Sequence, residues 1–416
     1  MAIIVVLYCF MCIFMILYNY KKTNKVLISI NIYLMIWSAM IVLYSFKLIK
    51  YYDLSFQTWL VIFLSTITVF IGYHFGWKMK IKGVGKKSNI SENSLKRFLY
   101  VTSLIALIAI IPNTFFLIQR YGINILSKTA QIYVDNLTGT APKNIPYFSC
   151  FAQVSCIFAG IYFINYGFKW FLALPVLLSM ISILSSGSRG GLILTIFFII
   201  MPIILMMKKS KINLKKEKKK IILVAMVVLV LFIILTVNRS SQLDPENYKY
   251  ISSTMLPIAY ALPALYKLYA YFTGSVGVLN AFLNDPDFYF GENSFGVFYN
   301  FLNKMGMDFQ YSRYQKFYNI PIQTNVGTWL RELIQDFGMV GMFIVVFIFC
   351  CFVGYYEKKA LNYQQKEDLL LASVLDTIFV MSFFVWYFRE GTMMVVVLIC
   401  LVFKYLKFEK KIVFHP

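Results

Sequence analysis

The sequence predicts an all-α polytopic membrane protein, with about eleven transmembrane helices and one large external loop. Three observations carry that expectation. Of 416 residues, 60% are hydrophobic, where roughly 45–50% is usual in soluble domains. Only 14% are charged, where about 25% is usual. The apolar residues gather into runs of about 20, the length a helix needs to cross a hydrocarbon layer about 30 Å thick. Such a chain is neither a soluble globular domain nor disordered, since disorder needs low hydrophobicity.

In order, the runs lie at 2–20, 26–46, 54–77, 98–119, 147–165, 168–185, 190–207, 221–237, 338–356, 369–388 and 391–406. The first has no basic leader and passes straight into the second, so a span is expected there and not a cleaved signal peptide. A further apolar stretch, 251–272, is interrupted by Pro257, Pro263 and Lys267. It is expected to be re-entrant or interfacial on the outer face. The chain then divides into 1–237 with spans one to eight, 238–337 as the external loop, and 338–416 with the last three spans and a tail.

The formal charge of +22 would suggest nucleic acid in a soluble protein. Here it sets orientation. Loops 21–25, 78–97, 165–169, 208–220 and 357–368, with the tail from 404, hold 26 of the 40 basic residues. The positive-inside rule makes those loops cytoplasmic, the amino terminus external and the carboxyl terminus internal. The run KKSKINLKKEKKK at 208–220 reads as an anchor beside anionic lipid, and no nucleic acid partner is expected.

Lysine follows that rule, with 25 of 33 cytoplasmic, but arginine reverses it. Only Arg97 is cytoplasmic; Arg120, Arg189, Arg239, Arg313, Arg331 and Arg389 fall outside or at the outer boundary. Guanidinium differs from ammonium in being planar, always charged and able to grip a phosphate or carboxylate through two parallel hydrogen bonds. Either these arginines pair with the outer acids, or they serve an anion whose oxygens lie in a plane.

Two segments sharpen the second reading. Ser185-Ser186-Gly187-Ser188-Arg189-Gly190-Gly191 is a turn between apolar runs. Its glycines allow close backbone approach, the N–H groups opening the next helix can face an anion, and Arg189 adds charge. The same glycines would also serve a plain helix contact. In the second segment, Asn325 to Gly338, Thr328, Arg331, Glu332, Gln335 and Asp336 share one helical side, while Leu330, Leu333, Ile334 and Phe337 share the other. That helix either lies at the interface with its polar side in water or turns it into an outward cavity.

These residues, in this order, resemble the Wzy-type oligosaccharide repeat-unit polymerases of O-antigen and capsule synthesis. The likeness lies in the Ser-Gly-Ser-Arg-Gly turn, the long external loop, and Thr-Trp-Leu-Arg-Glu-Leu-Ile-Gln-Asp-Phe-Gly-Met-Val-Gly running into a late span. It covers most of the chain as a layout but only about 25 residues as motif. The resemblance implies a GT-C-like glycosyltransferase of the bacterial inner membrane, acting on undecaprenyl-pyrophosphate-linked oligosaccharides at the outer face. A chain-length regulator protein is an expected partner, beside membrane lipid. The pyrophosphate role carries over to Arg189 with Gly190 and to Arg331, and by position to Arg239 and Arg313. Two departures stand out: the first external loop, 120–146, is short, and family members often have twelve spans.

The activated donor needs neither ATP nor another cofactor, and Gly83-Val84-Gly85-Lys86-Lys87-Ser88 has the wrong spacing for a phosphate-binding loop. The expected catalytic set is Arg189 and Arg331 with Glu332 and Asp336 as base candidates; Asp244, Glu246, Asp285, Asp287 and Glu292 are further external carboxylates. No histidine reaches the outer face, because His74 lies at a cytoplasmic span end and His415 in the tail. A ligase of the related type, expected to use such a histidine, is the first alternative. A flippase or transporter of lipid-linked sugars is the second, although only Asp376 lies within a span, as a transport path would require. Asp285-Pro286-Asp287 is turn chemistry and no metal site is expected. The seven cysteines, all in or beside spans, read as small apolar residues.

Overall fold

The computed structural model describes residues 2–81, 91–141, 145, 147–186, 190–207, 226, 245–308, 315–363 and 366–405. They are mostly helical. From the amino terminus come α1 (Ala2–Thr23), α2 (Ser29–Ser45), α3 (Phe56–Lys78) and α4 (Glu92–Tyr121). A short α5 (Thr129–Thr138) leads to α6 (Cys150–Tyr166), α7 (Ala173–Ser186) and α8 (Gly190–Met206). Then follow α9 (Leu256–Ala261), α10 (Pro263–Asn284) and α11 (Glu292–Lys304). A small hairpin pairs β1 (Tyr318–Asn319) antiparallel with β2 (Gln323–Thr324). The remaining helices are α12 (Trp329–Tyr363), α13 (Lys366–Val380) and α14 (Gly391–Tyr405).

Four helices, α1, α3, α4 and α12, are long and apolar enough to cross a membrane; α2, α6, α7, α8 and α14 are shorter apolar helices. These nine fall on nine of the eleven runs read from the sequence. Lipid offers no partner for backbone polar groups, so helices that satisfy their own N–H and C=O groups are the form such runs take. The run 221–237 lies outside the described residues apart from Met226.

The chain forms two compact units, each assembled from separated stretches. The first takes residues 1–78, 236–354 and 378–391. In it α3 and α12 meet backbone to backbone: a Cβ added at Gly76 or Gly354 would fall onto the carbonyl of Cys351 or Tyr73. Small residues at a helix crossing permit that approach. Hydrogen bonds pin α10 against the α2–α3 region. Tyr269 donates to the Leu43 carbonyl at 2.7 Å, while Asn280 Oδ1 accepts from the Ser55 N–H and the Thr58 hydroxyl, each at 2.8 Å.

The second unit takes residues 79–235, 355–377 and 392–416. Its α4 starts at Ser91, whose hydroxyl accepts from the Ser94 N–H at 3.1 Å, and stops at Gly122 with φ 81°. That N-cap satisfies one of the donors a helix start leaves open. Its α6 and α8 pack so closely that a Cβ at Gly160 would strike the Ile199 carbonyl. The buried hydroxyls of Ser103 and Ser155 bond each other at 2.8 Å.

The stretch 251–272 is interrupted, as its prolines suggest: the chain breaks at Leu262 and then runs as the 22-residue α10 to Asn284. Pro263 sits at the first helical turn, where its missing N–H costs nothing and its fixed φ starts a helix. The run 369–388, expected as one span, is not one helix, because α13 stops at Val380 and two 3-10 turns follow at Met381–Phe383 and Tyr387–Arg389. Finally, the polar side of residues 328–337 is not in water: from Thr328 to Asp336 every residue is buried.

Candidate functional site

Arg189, Arg239, Arg313 and Asp244 lie outside the described residues, as does the side chain of Glu246. Gly190 opens α8 in the second unit and is buried. Arg331, Glu332 and Asp336 come together in the first unit, on the opening turns of α12. Gly338, with φ 70° and ψ 179°, breaks the helical path there and separates these turns from the apolar span that follows.

Arg331 is the unusual residue. Its side chain is 0% exposed, yet none of its three guanidinium nitrogens has a hydrogen-bond partner. Its closest carboxylate contact is Nη2 to Glu332 Oε1 at 3.8 Å, too long for a hydrogen bond. The guanidinium carbon stands 5.5 Å from the centre of the Tyr318 ring, a cation–π distance. On another side it lies against Gly327, where an added Cβ would be 2.9 Å from Cζ. Leaving a buried donor unpaired costs about 1–3 kcal/mol, more for a charged group. A planar cation held in this way is ready for an anion.

The surrounding groups are, by contrast, heavily bonded. Asp336 Oδ1 accepts from the Asn293 N–H at 2.9 Å and the Asn293 amide at 3.0 Å. Its Oδ2 accepts from the Ser294 N–H and hydroxyl, both at 2.7 Å. This carboxylate therefore closes the first turn of α11, where free N–H groups favour negative charge. Asn293 Oδ1 in turn accepts from Arg389 Nη1, and the Trp386 indole donates to Ser294 Oγ at 3.0 Å. Glu332 accepts from the Trp386 backbone N–H through one oxygen and from the Gln315 amide through the other. Gln335 links Asn293 at 3.0 Å to Asp287 at 2.7 Å, and Lys316 pairs with Asp287 at 3.3 Å.

The charges respond to this burial. Burial pushes Glu332 up to about 7, against the opposing pull of Arg389 and Arg331 and the bond from Trp386. Asp336 is raised by burial as well, opposed by its bonds from Ser294 and Asn293. Burial lowers Arg331, and Glu332 counters it; a guanidinium stays protonated in proteins nonetheless. Burial works upward on Asp287 too, but hydrogen bonds from Tyr289, Gln335 and Lys316 outweigh it and hold the carboxyl below its usual range. A full charge on Glu332 is thus suppressed near neutrality, and the Arg331–Arg389 pair keeps net positive character.

Sequence reasoning missed Asn293, Ser294, Gln315 and Trp386, and read Arg389 only as an outer arginine. A signal for the first two exists. Gly291 takes a left-handed φ of 89° just before Glu292-Asn293-Ser294, a set of residues suited to a helix start. Trp386 and Arg389 sit in Trp386-Tyr387-Phe388-Arg389-Glu390, an aromatic and charged pattern typical of a span's boundary more than its middle. Among the described residues no group of three or more His, Cys, Asp or Glu side chains is placed to hold a metal ion. No family model, curated protein or solved structure matches the chain.

Proposed function

We propose that this chain is a bacterial inner-membrane glycosyltransferase that polymerises undecaprenyl-pyrophosphate-linked oligosaccharide repeat units at the outer face, as the likeness to Wzy-type polymerases implies. The observation that carries the proposal is the buried Arg331 guanidinium with no acceptor, set beside Arg389. In the proposed step an acceptor sugar hydroxyl attacks the anomeric carbon of the donor chain. The bond from that carbon to the pyrophosphate oxygen breaks, and polyprenyl pyrophosphate leaves with the electron pair. Fixed cations beside the leaving oxygen stabilise the charge as it develops, which lowers the barrier more than it tightens the ground state.

Arg331 and Arg389 are the cations we assign to that oxygen; the pyrophosphate role that the resemblance implies for Arg189, Gly190, Arg239 and Arg313 stands as a separate expectation. Asp336 commits both oxygens to four donors, so it is assigned as scaffold. Glu332, poised at about 7, is assigned as the base that takes the hydroxyl proton. The fold proposed for this chemistry keeps all eleven apolar runs as spans, including 221–237 and 369–388. The short helices then match the hydrocarbon layer by local thinning or flanking anchors.

Purified protein in phospholipid vesicles should lengthen synthetic polyprenyl-pyrophosphate repeat units into a ladder, in EDTA and without ATP. Transfer of a single repeat to a different acceptor would instead mark a ligase. Movement of the repeat across the vesicle wall without lengthening would mark a flippase.

A further inference from the structure

We infer that α11 lies in the plane of the bilayer surface, with its aromatic face sunk among the lipid acyl chains of the leaflet that α12 enters at Gly338. The helix divides into two faces. Phe295, Phe298, Tyr299, Leu302 and Met305 follow one another at spacings of one to four residues, so they share a side, with Phe301 at its margin. Asn300, Asn303 and Lys304 share the other. The aromatic side is open: Phe298 is 56% exposed, Phe301 61% and Met305 65%. At 13 residues, roughly 20 Å, the helix is too short to cross the hydrocarbon layer. A strongly two-faced helix with Phe and Leu on one side is the form that binds a membrane surface.

What covers this face follows from where the helix is fixed. Asp336 bonds the first turn of α11 through Asn293 and Ser294, and only two residues later Gly338 starts the span. The base of α11 is thereby held at the level where the chain enters the lipid. The apolar surface is also continuous. The Phe295 ring meets Phe337 edge-on at 6.1 Å. Beyond the break at Gly338, Val340, Ile344, Ile348 and Phe352 are all exposed, spaced as one stripe along the span. A surface that runs from a lipid-facing stripe onto α11 has bilayer lipid as its occupant. The seating requires no particular reaction at the arginine site.

The test is site-specific photocrosslinking of the full chain in phosphatidylcholine–phosphatidylglycerol vesicles. Phe298→p-benzoylphenylalanine and Phe301→p-benzoylphenylalanine, both at exposed sites, should give a mass increase of one phospholipid on irradiation. Asn300→p-benzoylphenylalanine, on the polar side, should give at least fivefold less. Equal lipid adducts from 298 and 300, no lipid adduct from 298 and 301, or a crosslink to a second protein chain from 298 would each overturn the inference.

Discussion

A largely buried basic residue in each unit is handled in the opposite way. In the second, Lys359 reaches Asp368 at 2.9 Å with both side chains largely buried, so the pair neutralises itself. Its other buried polar contacts include hydroxyl pairs such as Ser103–Ser155. In the first, Arg331 is fully buried and its nearest carboxylate oxygen stands at 3.8 Å, from a glutamate whose own charge is suppressed. Buried charge that is paired serves packing and register. Buried charge kept from its partner is costly, and under the proposed function a pyrophosphate supplies the missing half.

Substitution should separate the two kinds of burial. Arg331→Lys keeps the charge but loses the planar fork, so kcat/KM for chain lengthening should fall about 10²–10³-fold, read from product ladders. Its thermal midpoint should hardly change. Lys359→Ala should do the reverse. It removes the cation that Asp368 pairs with and should lower stability by about 3 kcal/mol in chemical denaturation, with activity per folded molecule retained. Equal loss of activity from both variants would erase the distinction.

Within the first unit the two acids should also differ. Asp336→Ala strands the Asn293 and Ser294 donors and should destabilise by about 2–4 kcal/mol, measured by thermal unfolding in detergent. Glu332→Gln should act mainly through pH. With a folded-state pKa near 7 against an ordinary 4.5, the folded protein holds this proton more tightly than the unfolded chain. Stability from this group is therefore complete below about 4.5 and lost as pH rises through about 7. As base, the ionised form should make activity climb across the same upper range. The substitution should flatten the stability slope and remove the activity limb near 7. The smallest effect is expected at Gly327→Ala, where the new Cβ would press on the Arg331 guanidinium. A loss of about tenfold, carried mostly in KM, with a stability change of about 1 kcal/mol or less, would mark Gly327 as the wall that positions Arg331.

Helices on nine of the eleven apolar runs could be read in the sequence because the length of an apolar run is a local signal. The helical start at 329–337 was legible in the spacing of Arg331, Glu332, Gln335 and Asp336. What covers that side was not. Asn293 and Ser294 lie about 40 residues away and Trp386 and Arg389 more than 50, and only tertiary folding brings them together. Pro263 was legible as an interruption, but not as the start of a 22-residue helix, because a proline marks a break and a helix start alike. The break of 369–388 at Val380 was hidden because residues 378–385 are apolar but for Ser382, and they give no hint that the chain leaves the helix to deliver the Trp386 N–H to Glu332.

Direct titration of the folded protein with a short-chain polyprenyl pyrophosphate, farnesyl pyrophosphate, tests the arginine site without any turnover. Calorimetry of the wild-type chain in lipid nanodiscs should give saturable binding that Arg331→Ala weakens at least 30-fold, and farnesol in place of the pyrophosphate should give only background heat. Equal affinity in wild type and Arg331→Ala would contradict the account.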